Sequence, residues 1–145
     1  MNSTHRGRHF VRVIIPAFLL MAGCGGEPPL KMAEVEGIVT INGKPAADIL
    51  VQFLPNVGPK ERAVSATGTT NAEGKFQLVA SDGKPGALVG PNKVVLADLN
   101  EERPPQGKPV TRKPRLPPHF MVLGPQTPEV EVKAESNTPF EIAVR

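Results

Sequence analysis

The chain has 145 residues, no Trp or Tyr and only six Phe, so its core must be built mainly from Val, Ile, Leu and Ala, and β-branched side chains pack well in strands. Its 17 Pro and 14 Gly break helices and predict many turns, which argues against a helical fold. The net charge of +3 equals the contribution of Arg6, Arg8 and Arg12; the residues from Cys24 onward are neutral overall, and we expect no nucleic-acid partner.

Residues 1–23 have the three-part pattern of a secretory signal. The basic start is followed by the apolar run 13–21 and by the small residues Ala22 and Gly23. A helix that spans a bilayer needs roughly 20 apolar residues, whereas this run is shorter and is interrupted by Pro16. We therefore expect residues 1–23 to be a signal peptide that directs export and is then removed.

The end of this segment reads Leu20-Met21-Ala22-Gly23-Cys24. It resembles the lipobox of bacterial lipoproteins, although that family prefers Leu at the position of Met21. The resemblance implies cleavage before Cys24 and a diacylglycerol on its thiol, so Cys24 is the predicted lipidation site. Cys24 is also the only cysteine, which leaves it without an intrachain disulfide partner. The alternative is a soluble secreted protein with a free thiol.

Residues 24–32 form the predicted tether, in which two glycines precede two prolines. The segment 25–31 reaches at most about 25 Å, so the domain is expected close to the lipid surface. Gly25 stands where inner-membrane retention signals usually have Asp. The resemblance therefore implies an exported protein anchored to the cell envelope, with the outer membrane favoured over the inner.

The predicted domain, residues 33–145, begins with strand signals. Apolar and polar residues alternate over 35–41 and again over 49–53, and a period of two is typical of half-buried strands. Between them, Asn42 and Gly43 tolerate the positive φ of a tight turn. We predict a first hairpin from these two strands.

A second hairpin is predicted from the strands 64–68 and 75–78, around a turn at 71–74. Three further strands are predicted at 87–98, 129–133 and 140–144. Strands at regular spacing with turn residues between them favour a sandwich. The predicted fold is all-β, a seven-stranded antiparallel Greek-key sandwich.

Five stretches of the domain carry a resemblance to a known family. They are Val35–Pro45, Val51–Pro55, Thr70–Leu78, Gly86–Val95 and Leu116–Phe120. Their succession resembles the carboxypeptidase regulatory-like domains, seven-stranded sandwiches related in fold to transthyretin (prealbumin). It covers nearly the whole predicted domain and is similar to small bacterial lipoproteins built from one such domain. The resemblance implies a noncatalytic accessory, adhesive or spacer role.

The stretch 99–118 fits no strand and holds six Pro and five basic residues. The basic residues are Arg103, Lys108, Arg112, Lys113 and Arg115. Clustered positive charge raises the rate of encounter with negative partners, so these residues are predicted to bind an acidic protein, an anionic polymer or lipid headgroups. The alternative is a solvated loop whose prolines and charges only maintain solubility.

Candidates for catalysis and metal binding are few. His119 is the only His after Cys24, which is too little for a catalytic triad, so we interpret it as a surface or structural residue and predict no enzyme. Asn71, Glu73 and Asp82 offer oxygens of the kind that hard cations bind, but a hairpin turn explains 71–74. We predict neither a metal nor a cofactor.

These observations predict a membrane-tethered, noncatalytic cell-envelope lipoprotein that acts as a structural or protein-interaction module. The alternative is a ligand-binding subunit that captures an anionic polymer, an acidic partner or an ion through residues 99–118. The sequence leaves the partner and the oligomeric state open.

Overall fold

Strands make up most of the regular structure of the chain. The computed structural model describes residues 28–100, 114–135 and 138–145, which contain eleven strands and one helix of four residues, α1 (Pro118–Met121). In chain order the strands are β1 (Met32–Ala33), β2 (Glu36–Ile41), β3 (Lys44–Pro45), β4 (Ile49–Pro55), β5 (Ala66–Thr69), β6 (Lys75–Gln77), β7 (Val79–Ala80), β8 (Ala87–Leu88), β9 (Gly90–Asp98), β10 (Glu129–Val132) and β11 (Phe140–Val144). The predicted all-β class is confirmed.

The strands pair into three sheets. A five-stranded sheet has the order β10-β9-β4-β5-β7, and in a four-stranded sheet β2 lies between β11 and the short strands β3 and β6. β1 pairs with β8. All these pairs are antiparallel except β2 with β11, so the predicted uniformly antiparallel arrangement is wrong for this pair. Parallel pairing needs a long connection, and here most of the domain separates the two strands.

Each of the seven predicted segments contains a strand of the structure, but one of them is divided. The segment 75–78 contains β6 and ends just before β7, whereas 87–98 is interrupted at Val89, which separates β8 from β9. At Val89 the N–H donates to Lys31 O (2.9 Å) instead of to the neighbouring strand of the five-stranded sheet. The two-residue strands β1, β3 and β7 are additional, and β1 begins inside the predicted tether.

The turn at Asn42 and Gly43 is confirmed, but it joins different strands from those predicted. Both residues have positive φ, 52° and 75°, and the turn connects β2 to β3. β4 pairs with β5 and β9 instead, so the predicted first hairpin is wrong. The reason lies at Thr70, whose buried hydroxyl donates to Ala46 O (2.6 Å) and accepts from the Ile49 N–H (2.9 Å). These bonds direct β4 into the five-stranded sheet.

The turn at 71–74 is also confirmed. Asn71 Oδ1 accepts hydrogen bonds from the N–H groups of Glu73 (3.1 Å) and Lys75 (2.9 Å), and Gly74 has a φ of 73°. After the turn, only β7 pairs with β5, whereas β6 pairs with β2. The predicted second hairpin is therefore wrong, because the predicted strand 75–78 contains only β6 and the chain enters the sheet of β5 after it.

The two larger sheets share one apolar core, as in a β-sandwich. The alternation expected for β4, β10 and β11 is confirmed, since the outward polar residues of these strands are more exposed than the inward apolar residues that alternate with them. Phe53 of β4 meets Phe140 of β11 edge to face, with ring centroids 5.7 Å apart. The fully buried inward residues include Val39, Ile49, Val51, Phe53, Val94, Leu96, Val132 and Val144.

Candidate functional site

Of the predicted docking residues, Arg115 is the one that the structure describes. The others, Arg103, Lys108, Arg112 and Lys113, lie outside the described residues. Arg115 donates through Nε and Nη2 to the two carboxylate oxygens of Asp98 at the end of β9. The hydrogen bonds from Arg115 lower the pKa of Asp98, although burial acts in the opposite direction.

This ion pair changes what Arg115 offers to a partner. The Asp98 side chain is 6% exposed and that of Arg115 is 42% exposed, so the carboxylate is largely shielded from water while the guanidinium stays partly exposed. It also raises the pKa of Arg115. Because Asp98 balances its charge, Arg115 attaches the end of 99–118 to β9, and docking by the other four cations stays a prediction.

Replacing Arg115 with Gln is expected to lower the free energy of unfolding by about 1 kcal/mol at neutral pH, because water screens part of a half-exposed pair. Since the folded chain lowers the pKa of Asp98, this stabilisation is present above the ordinary carboxyl pKa of 3.8 and is lost as the pH falls through the lowered pKa. Urea denaturation followed by circular dichroism between pH 7 and pH 2 measures both effects.

The matched control for this prediction is Lys60→Gln. Lys60 is exposed and forms no ion pair with another described residue, so its replacement is expected to leave stability unchanged. Equal losses in the two variants, or a loss in the Arg115 variant that persists at pH 2, would contradict a stabilising role for the Asp98 pair.

The structure places His119 on the surface, as interpreted from the sequence. It lies in α1, and its ring contacts the ring of Phe120 with centroids 4.6 Å apart. Phe120 is buried in the core, and its N–H donates to Pro117 O (3.0 Å). Pro118 stands at the first helical position, where the ring-restricted φ of proline suits the start of a helix. His119 thus lies in a short helix that is in contact with β9.

Two of the three residues considered for metal binding, Asn71 and Asp82, use their side-chain oxygens within turns. Asn71 Oδ1 accepts two backbone N–H groups, as described for the turn at 71–74. Asp82 accepts the N–H of Lys84 (3.2 Å) and lies 3.1 Å from its Nζ, and the hydrogen bond from the Lys84 side chain lowers the pKa of Asp82. Within the described ranges, no three His, Cys, Asp or Glu side chains are grouped as a metal site requires.

A cleft of about 620 Å³, which the sequence did not predict, lies between β1, the β6–β7 segment and the chain that follows β10. Its floor includes the buried side chains of Val35 and Leu78. Its walls are held by backbone hydrogen bonds, from Leu78 N–H to Val35 O (3.0 Å) and from Gly86 N–H to Leu78 O (2.7 Å). Three carboxylates line it, those of Glu34, Glu36 and Glu135. This lining suits a cationic or amphipathic group.

The cleft lies beside the end of the predicted tether. Met32 of β1 lines the cleft and stands eight residues after Cys24. The cleft therefore lies where the predicted tether joins the domain. No sequence signal places Glu135 in the same cleft as Glu34 and Glu36, because about a hundred residues separate them along the chain and only the fold brings them together.

Asn92 is a buried polar residue that fastens the bend between β8 and β9. Its side chain is 1% exposed, and its Nδ2 donates to Leu88 O and Gly90 O, both at 2.9 Å. Its Oδ1 has no hydrogen-bond partner among the residues that the structure covers. Two donated bonds to carbonyl oxygens identify the amide nitrogen, so Asn92 has a structural role at this bend.

Comparison with protein-family models, with curated proteins and with solved structures finds no match to this chain. Cys24 and residues 1–23 lie outside the described residues, and in the described part no helix is long and apolar enough to cross a bilayer. The resemblance to carboxypeptidase regulatory-like domains and to lipoproteins thus stays a prediction. What the chain has is a mostly β fold of sandwich character with an acidic cleft beside its first strand.

Proposed function

We propose that this chain is a membrane-tethered, noncatalytic lipoprotein of the bacterial cell envelope, anchored through Cys24, whose domain serves as a structural or protein-interaction module. The proposal includes export by residues 1–23, the outer membrane as the favoured destination, and membership of the carboxypeptidase regulatory-like sandwiches. The observation that carries it is the lipobox-like segment Leu20–Cys24, which contains the only cysteine.

The short spacing between anchor and fold supports this proposal. Strand β1 begins at Met32, so the chain between Cys24 and the sheet reaches at most about 30 Å. Lipid on Cys24 would hold the domain, and the cleft beside β1, within that distance of the headgroups. A module held so close to a surface meets envelope partners in two dimensions, where weak contacts suffice.

Two carboxylates of the domain, those of Asp82 and Asp98, have cationic partners. Asp82 and Asp98 both have a lowered pKa, through hydrogen bonds from Lys84 and Arg115 respectively. A general acid or base works best with a pKa near the working pH. Asp82 and Asp98 are therefore poor candidates for a general acid or base, and their partners are the cations of Lys84 and Arg115.

Mass spectrometry of the native full-length product tests the anchor. The expected mature chain begins at Cys24 and carries the mass of attached acyl chains, and the protein is recovered with membranes. Cys24→Ser is expected to abolish the acyl mass and to leave the chain uncleaved before residue 24, because the acceptor thiol is absent. An unmodified N-terminus upstream of Cys24 in the native product would contradict the proposal.

Gly25→Asp is the matched control for destination. It keeps the cysteine and is expected to remain acylated while moving from the outer to the inner membrane, as measured by density-gradient separation of the two membranes. Acylation without that change of membrane would support the anchor and contradict the favoured destination.

A further inference from the structure

Strand β11 presents an open edge of the four-stranded sheet. It pairs only with β2, in parallel, over the whole run from Phe140 to Val144. The C=O of Val144 accepts from the N–H of Asn42 (2.9 Å), so the backbone groups of Val144 point towards β2. Backbone polar groups of successive strand residues point to alternate sides, and those of Glu141 and Ala143 therefore point away from β2. They have no backbone partner among the described residues.

The side chains along this edge alternate between exposed and buried. Glu141, Ala143 and Arg145 are exposed on the outer face, while Ile142 and Val144 are buried. Neither Glu141 nor Arg145 forms an ion pair with any other residue in the described ranges. The edge thus offers unpaired backbone groups flanked by one negative and one positive side chain, with a small residue at the centre.

We propose that β11 binds β11 of a second copy of this chain, antiparallel and centred on Ala143. In this register Ala143 faces its own copy and each Glu141 faces an Arg145, so two opposite-charge pairs flank the centre. The outward backbone groups of residues 141, 143 and 145 then form about six hydrogen bonds across the two edges, because all three lie in hydrogen-bonded positions. The two four-stranded sheets become one continuous sheet.

The charges select this register over its neighbours. Centring the pair on Glu141 would set two carboxylates opposite each other, which is unfavourable. Centring it on Ile142 would place Glu141 opposite Ala143 and leave both charges without a partner. Only the register centred on Ala143 uses Glu141 and Arg145 together and still satisfies the outward backbone groups.

The other edges of the described sheets are less suited to this pairing. β10 carries Glu129 and Glu131 on its exposed side, and a pair centred on Glu131 would oppose like charges. β3 and β7 each have two residues. β11 is therefore the longest edge strand of these sheets, and its charges complement those of its own copy.

In this pairing the partner of the interaction module is a second copy of the same chain. The strength of the pair in the cell rests on the proposed function, which supplies the membrane anchor. One short strand pair buries little surface, so a solution dimer would be weak. Anchoring through Cys24 raises the effective concentration of the copies and makes the pair populated. The geometry of the pair does not depend on the anchor.

Cysteine crosslinking of the full-length chain in isolated membranes tests the pairing. Hydrogen-bonded antiparallel residues have Cα atoms about 5.5 Å apart, within the range that a disulfide spans. Under mild oxidation, Ala143→Cys is expected to give a crosslinked dimer at least five times as abundant as Ala72→Cys gives. Ala72 is also an exposed alanine, and it lies in the turn 71–74. Mass spectrometry of the tryptic peptide that follows Lys133 locates the linkage.

A charge exchange completes the test. Added to Ala143→Cys, either Glu141→Lys or Arg145→Glu is expected to weaken the association roughly tenfold, because two attractive pairs become repulsive. The combination of both is expected to restore crosslinking, since the pairs are again opposite in charge, and this recovery also shows that the variants fold. Equal crosslinking at 143 and 72, no recovery in the combined variant, or linkage of residue 143 to a different protein would overturn self-pairing. In the wild-type chain, a disulfide through Cys24 would contradict the lipid anchor. The comparison of linked peptides at residues 143 and 72 would still test the pairing of β11.

Discussion

Replacing Gly86 with alanine is expected to lower the free energy of unfolding by about 4 kcal/mol or more, a loss that few single substitutions reach. Gly86 has a φ of 92°, which side chains rarely tolerate. A Cβ there would overlap the carbonyl oxygen of Ala33 and lie 2.9 Å from Glu34 Cα. These are backbone atoms of the cleft wall, so no side-chain rotation relieves the overlap. Urea denaturation followed by far-UV circular dichroism measures the loss.

Gly83→Ala separates crowding from backbone conformation. Gly83 has a similar φ, 84°, but an added Cβ would meet no atom within 4 Å. We expect this variant to lose only about 1 to 2 kcal/mol, the cost of the left-handed conformation alone. Equal losses at the two glycines would show that β1 does not pack against Gly86 as described.

Replacing Phe53 with alanine is expected to lower the free energy of unfolding by about 3 to 5 kcal/mol, because it removes a buried ring and leaves a cavity. Phe53 is 0% exposed and is among the largest side chains in the core. Its edge-to-face contact with Phe140 links the five-stranded sheet to the four-stranded sheet. The substitution therefore loosens the contact between sheets as well as the packing within one. The midpoint and slope of urea denaturation, with thermal unfolding, measure the effect.

Leu54→Ala is the control on the same strand. Leu54 follows Phe53 and points to the opposite face of the sheet, where it is half-buried. We expect less than half the loss seen for the Phe53 variant, because less apolar surface leaves water when Leu54 folds. A larger loss at Leu54 than at Phe53 would contradict the assignment of the core to the face that carries Phe53.

Local patterns were enough to locate the longer strands and the two turns, but not the two-residue strands β1, β3 and β7. Alternation along β4 and β11 reports which face is buried, because successive side chains of a strand point to opposite sides. Asn42 and Gly43 favour a turn through their own conformational preferences. Each of these signals lies within a few residues of the feature that it predicts, and each was confirmed.

The partners of the strands were not accessible to the same reasoning. β4 was expected beside β2 because they are neighbours in sequence, but the hydroxyl of Thr70 joins Ile49 and Ala46 from more than 20 residues away. Leu78 separates β6 from β7 although burial alternates regularly through it, since its N–H bonds to Val35 O next to β2 while the following residue enters the other sheet. Neither event leaves a periodic trace in the sequence.

The candidate sites divide in the same way. The sequence by itself determined that this is a strand-forming chain with a single cysteine behind an export-like segment, because composition, period and short motifs are local properties. Only the tertiary structure decided that Arg115 is paired with Asp98, that glutamates from distant segments line one cleft, and that β11 is left at an edge. Those outcomes depend on which strands hydrogen-bond to each other. That pairing is set by contacts between residues far apart in the sequence, so no single segment determines it.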